Sequence, residues 1–137
     1  MRVKFILSFS IFFLSGKCLE VLTSVGEDTV LPCSTTHDDV NDADLTVHWT
    51  RTDLPPDQYV YYWWDGNMTA ENQNRSYEGR TSLFNDEVKK GNVSLKLSRV
   101  KSSDDGIYTC TIPEINKQCI VELVVGKSIC LLVNGDR

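Results

Sequence analysis

The side chains able to do chemistry are few, and their spacing narrows what that chemistry is. Five cysteines stand at Cys18, Cys33, Cys110, Cys119 and Cys130. With only two histidines, His37 and His48, no zinc cluster can be assembled. Serines are abundant, but none sits in the Gly-x-Ser-x-Gly turn of a hydrolase nucleophile. Asp104-Asp105 is a paired acid, yet neighbours on a strand face opposite ways, so the two carboxylates do not share a site. Asp39, Asn41 and Asp44, with His37, offer oxygens in the polar run 34–44. That run lacks the glycine and closing glutamate of a calcium loop, and reads as solvated. No catalytic residue, metal site, cofactor or small-molecule substrate is therefore expected. What remains is modification chemistry. Asn67-Met68-Thr69, Asn74-Arg75-Ser76 and Asn92-Val93-Ser94 are acceptors for N-linked glycans if the chain is exported.

Export is what the first residues encode. Arg2 and Lys4 charge the start, and Phe5 to Leu14 form an apolar run broken only by two serines. Ser15 and Gly16 suit a cleavage region, so residues 1–18 read as a signal peptide. The run falls short of the roughly 20 apolar residues that span a bilayer. Removing residues 1–18 leaves 119 residues, enough for one domain. It also removes three basic residues and no acids, so 11 basic side chains face 19 acidic ones, a balance of −8. That sign excludes a nucleic-acid or anionic-membrane surface. Cysteines behind a signal imply an oxidising compartment. If Cys18 leaves with the signal, Cys119 and Cys130 are a second pair, two free thiols or an intermolecular link.

The elements that position these groups alternate with period two, the spacing of strands. Leu19–Thr23 reads as a first strand and Thr29–Cys33 as a second, where Pro32 fits an edge or bulge. Leu45, Val47 and Trp49 alternate inward on a third. Gln58 to Trp64 is a strand with aromatics on both faces, closed by an Asp65-Gly66 hairpin turn. A polar stretch follows from Asn67 to Ser76, then strands near Arg80–Phe84, Val93–Leu97, Gly106–Cys110 and Ile120–Val125. About nine antiparallel strands are expected, with no helix-period segment.

The run Asp104-Asp105-Gly106-Ile107-Tyr108-Thr109-Cys110 resembles the tyrosine corner and second cysteine of an immunoglobulin strand F. That resemblance implies an all-β, V-type sandwich of two sheets. It implies a Cys33–Cys110 bridge with Trp49 packed on it and Tyr108 in the core. The two cysteines are 77 positions apart, and a loop of that length is worth roughly 4–5 kcal/mol in the chain-entropy model.

Three further runs sharpen the likeness: Gly26 to Cys33, Tyr77 to Phe84, and Gly91 to Leu97. Together they resemble the V-set domains of the butyrophilin family, which includes myelin oligodendrocyte glycoprotein and the T-cell co-signalling ligands. The resemblance covers residues 19–126 and leaves 127–137 as a tail. It implies an Arg80–Asp104 pair tying the bottom of the sandwich. Family members usually continue into a second domain and a membrane helix. Here Ile129–Val133 is too short to cross a bilayer, so the chain reads as a secreted domain or part of a cell-surface one. The closing strand Cys119-Ile120-Val121-Glu122-Leu123 lacks the Gly-x-Gly of antigen receptors. Residues 106–112 hold no basic side chain for sialic acid.

The family binds partners through the sheet of strands G, F, C and C′. Carried over, this implies His48, Ile107, Thr109, Ile115 and one aromatic row of Tyr61–Trp64. The likeness favours Tyr62 and Trp64 outward, with burial of both rows as the alternative. Glycans at Asn67, Asn74 and Asn92 are expected to shield strands D and E and leave that sheet open. The implied partner is a protein receptor on another cell, a lymphocyte, with self-adhesion as a homodimer the alternative.

Overall fold

The computed structural model describes residues 18–36 and 45–126. The expected signal up to residue 17, the loop residues His37, Asp39, Asn41 and Asp44, and the tail with Cys130 lie outside the described residues. Nine strands are present among those described: β1 (Cys18–Ser24), β2 (Thr29–Leu31), β3 (Thr46–Arg51), β4 (Tyr61–Trp64), β5 (Asn67–Thr69), β6 (Thr81–Leu83), β7 (Leu95–Leu97), β8 (Gly106–Ile112) and β9 (Lys117–Gly126). One helical turn, α1 (Asn85–Val88), links β6 to β7. Six strands form one sheet in the order β1-β9-β8-β3-β4-β5, and three form the other in the order β2-β7-β6.

Two features depart from the expected layout. β1 pairs with β9 in parallel, from Cys18 opposite Ile120 to Ser24 opposite Gly126, whereas every other pairing between these strands is antiparallel. The first strand thereby covers an edge of β9 that would otherwise be open. The polar stretch after Gly66 is not all loop, because Asn67–Thr69 pairs with Tyr62–Trp64. Asp65 and Gly66 sit at φ 51° and 80°, the positive pair that a two-residue type I′ turn demands. As an outermost strand with little to bury, β5 carries no apolar alternation in its sequence.

The core lies between the sheets. Leu31, Val93, Leu95 and Leu97 face Val47, Trp49, Tyr108, Ile112 and Leu123, all of them fully buried. Each such side chain contributes about 1.5–3 kcal/mol by leaving water. Trp49 satisfies its one donor by giving Nε1–H to the carbonyl of Val93 at 3.0 Å. Where β2 ends before Pro32, the Ser94 hydroxyl replaces the sheet ladder by accepting from Cys33 N at 3.0 Å.

One end of the sandwich is closed by a buried polar network. Arg80 grips Asp104 with two parallel bonds, Nη1 to Oδ2 at 2.8 Å and Nη2 to Oδ1 at 2.9 Å, and both residues are buried. Its remaining donors reach the carbonyls of Ser76, Ser98 and Arg99. The Tyr108 hydroxyl donates to the Asp104 carbonyl at 2.6 Å and meets the Tyr77 hydroxyl at 2.9 Å. Arg51, which no sequence motif singles out, donates to Tyr77 Oη at 2.8 Å and to the Ser103 carbonyl. A Cβ on Gly106 would lie 2.9 Å from the Arg51 Nε, so a larger residue there would displace the guanidinium from its place in the network.

The sulfur pairing differs from the expectation. Cys33 is bridged to Cys119, and Cys110 is a buried free thiol. The physical reason is register. Cys110 and Cys119 are direct partners across β8 and β9, so both project from the same face of the six-stranded sheet toward Cys33. Cys33 bonds one of them. The strand F motif points to Cys110 alone because nothing in it records what stands opposite. Cys119 is thus neither free nor a partner of Cys130.

Candidate functional site

The outer face of the six-stranded sheet carries the side chains that alternate away from the core. Trp49 pairs with Tyr61 and Val47 with Trp63, and those four are buried. The intervening pairs, His48 with Tyr62 and Thr46 with Trp64, therefore share the opposite face. Trp64 is 58% exposed, whereas Trp63 is 9%. Tyr62 and His48 are half-buried, because their rings lie against each other with centroids 4.6 Å apart. Tyr59, which sequence reasoning missed, completes the cluster edge-on, 5.3 Å from His48 and 4.9 Å from Tyr62. It precedes β4 and reaches the face because its backbone bridges to Gln73; no alternation pattern signals that.

Thr111 and Thr109 continue the face across β8, opposite His48 and Thr50. Ile107, 40% exposed, stands further along the same strand and beside Glu122 of β9. Ile107 and Trp64 thus occupy opposite ends of the face, three two-residue steps apart, or about 20 Å. They do not form one patch. Leu22 of β1, 62% exposed, lies near the Ile107 end. Ile115 does not join the face: it sits in the turn Pro113–Ile115 and packs against the core.

Glu114 of that turn reaches back to β3. Its carboxylate accepts from Thr46 N at 2.9 Å and from Thr46 Oγ1 at 2.6 Å. Partial burial pushes the Glu114 carboxyl up, but these bonds outweigh it and hold the group below the usual carboxylate range. Burial lowers His48, and the nearby Glu114 charge offsets part of that. His48 is therefore a neutral aromatic surface at physiological pH. Among the described residues no group of three or more His, Cys, Asp or Glu side chains is placed to hold a metal ion.

The three sequon asparagines do not cluster on strands D and E as expected. Asn92 lies beside β7, and its Oδ1 accepts from Ser94 N. Asn74 caps the turn Arg75–Tyr77 and donates Nδ2–H to Gln58 Oε1 at 2.7 Å. Asn67 is exposed on β5 of the six-stranded sheet, directly opposite Trp64.

The sequence of residues 19–125 matches the family model described as the immunoglobulin V-set domain. The chain belongs to the immunoglobulin V-set family. This V-set domain is 37% identical over 110 residues to a CD276 antigen homolog of Xenopus laevis, covering 79% of this chain and 35% of the relative. It is 31% identical over 116 residues to human butyrophilin subfamily 2 member A2, covering 83% of this chain and 22% of that protein. The chain thus spans about a third of the first relative and less than a quarter of the second. Among solved structures, the human B7-H4 IgV-like domain superposes with a TM-score of 0.68 at 27% identity, covering 78% of this chain and 90% of that one. The V-set domain has no helix among its described residues long and apolar enough to cross a membrane.

Proposed function

We propose that this V-set domain is an extracellular co-signalling module, not an enzyme, that regulates T cells by binding a protein receptor on another cell through the outer face of its six-stranded sheet. The observation that carries this is the packed ring cluster of His48, Tyr59 and Tyr62, which sits on the face between the exposed Trp64 and Ile107 and beside Thr109 and Thr111. Three rings locked against one another have lost little further freedom to lose on docking, and such aromatic anchors dominate protein interfaces. Kinship with CD276-like and butyrophilin proteins supports the co-signalling class.

A multimer of the glycosylated chain, presented to mixed lymphocytes, is expected to stain a subset, and Tyr62→Ala to weaken that staining by about tenfold or more. Sedimentation of the same protein separates the readings. A concentration-dependent dimer that Tyr62→Ala dissolves, with no cell staining, would replace the receptor ligand by a self-adhesion module.

A further inference from the structure

We propose that the indole of Trp64 is the seat of the first sugar of an N-linked glycan on Asn67, so that this glycan lies along the sheet face and closes its β5 end. This goes beyond the receptor reading and does not depend on it.

Trp64 and Asn67 flank the Asp65-Gly66 turn and are direct partners across β4 and β5. Direct partners on antiparallel strands project from the same face, with Cβ atoms about 5 Å apart. Trp64 is the most exposed large aromatic among the described residues. Asn67 is exposed as well. Its Nδ2 makes only a long bond of 3.3 Å to the Asp65 carbonyl, whereas Asn74 Nδ2 is held at 2.7 Å by Gln58. Thr69, the sequon's hydroxyl residue, alternates to the same face as Asn67.

Attachment transfers an oligosaccharide from a lipid-linked pyrophosphate donor. The bond from the sugar's anomeric carbon to the phosphate oxygen breaks, and its bond to Asn67 Nδ2 forms. The amide gives up one proton and the pyrophosphate departs with the lipid. The first sugar, an N-acetylglucosamine, then begins within one ring width of the indole. Its axial C–H groups are a weakly positive apolar face, and the indole face carries the negative quadrupole that attracts them. Stacking at van der Waals distance buries both. The rigid turn keeps the two partners in place before the sugar arrives. Two consequences follow: the outer edge of β5 is shielded from pairing with another chain, and the open protein face ends at Tyr62.

The test uses the full chain secreted from eukaryotic cells and trimmed enzymatically to single N-acetylglucosamine stubs. Mass mapping of glycopeptides is expected to find the stub on Asn67; an unmodified Asn67 overturns the proposal. Of the three tryptophans, only Trp64 is open to a soluble quencher, so fluorescence quenching reads its cover directly. The stub is expected to cut quenching relative to Asn67→Gln and Thr69→Ala, and to raise Tm by about 4 °C. In a Trp64→Leu background the same stub is expected to leave Tm unchanged, while Trp64→Phe keeps part of the gain. If the stub raises Tm equally with and without an aromatic at 64, or leaves quenching unaltered, the sugar does not sit on the indole.

Discussion

Cys110 and Cys119 face each other across neighbouring strands, and the bridge to Cys33 on the opposite sheet is made by Cys119. Three sulfurs converge in one core and one is left over. Burial pushes the Cys110 thiol well above its ordinary range, with a smaller opposing pull from Lys117, so it stays protonated and unreactive. Under non-reducing peptide mapping Cys33 is expected to link to Cys119, with Cys110 alkylated only after unfolding. Cys110→Ala is expected to cost about 1 kcal/mol as lost packing. Cys33→Ala is expected to cost about 4 kcal/mol, since it opens a loop of 86 positions. A peptide joining Cys33 to Cys110, or a reversed order of costs, would contradict the pairing.

The Arg80–Asp104 pair is buried on both sides, which fixes how its mutants behave. Asp104→Asn leaves the guanidinium without its charge partner, and is expected to destabilise by about 3–5 kcal/mol in urea unfolding. Arg80→Lys keeps the charge but cannot supply the fork, and is expected to lose nearly as much. A loss below about 1 kcal/mol, the range of exposed pairs, would mean that water enters the corner.

Two groups on the candidate face give the protein an acid-sensitive stability. His48 is lowered by burial in the folded state, so the unfolded chain binds the extra proton first. Its contribution is complete above the ordinary value of 6.5 and falls as pH drops through and below it. Glu114 is held low in the folded state, so its contribution is complete above 4.5 and is lost as pH falls below that. Urea unfolding across the acid range is expected to show both declines. His48→Phe should flatten the upper one and Glu114→Gln the lower. A flat profile in either window would remove the corresponding group from the account.

The sandwich, its nine strands and its kinship were legible because they rest on local patterns: period-two alternation and a tyrosine two residues before a cysteine. Alternation also says that Tyr61–Trp64 presents two opposite rows. What it leaves open is the phase, which is set by Trp49 pairing with Tyr61 and so drawing that row inward. The other misses are likewise matters of register between distant segments. Cys119 opposite Cys110, the parallel course of β1 and the inward turn of Ile115 depend on how strands slide against one another. Arg51 and Tyr59 sit in no motif, and each gains its role from groups more than ten residues away.

The direct test of the recognition face is a pair of arginine substitutions on opposite outer surfaces. Thr109 lies mid-way along the six-stranded face, and Ser82 is exposed on β6 of the other sheet. With folding verified by Tm, Thr109→Arg is expected to abolish binding of the glycosylated domain to its cells and Ser82→Arg to leave it intact. Binding that survives Thr109→Arg and is lost with Ser82→Arg would place the partner on the other sheet and contradict the account.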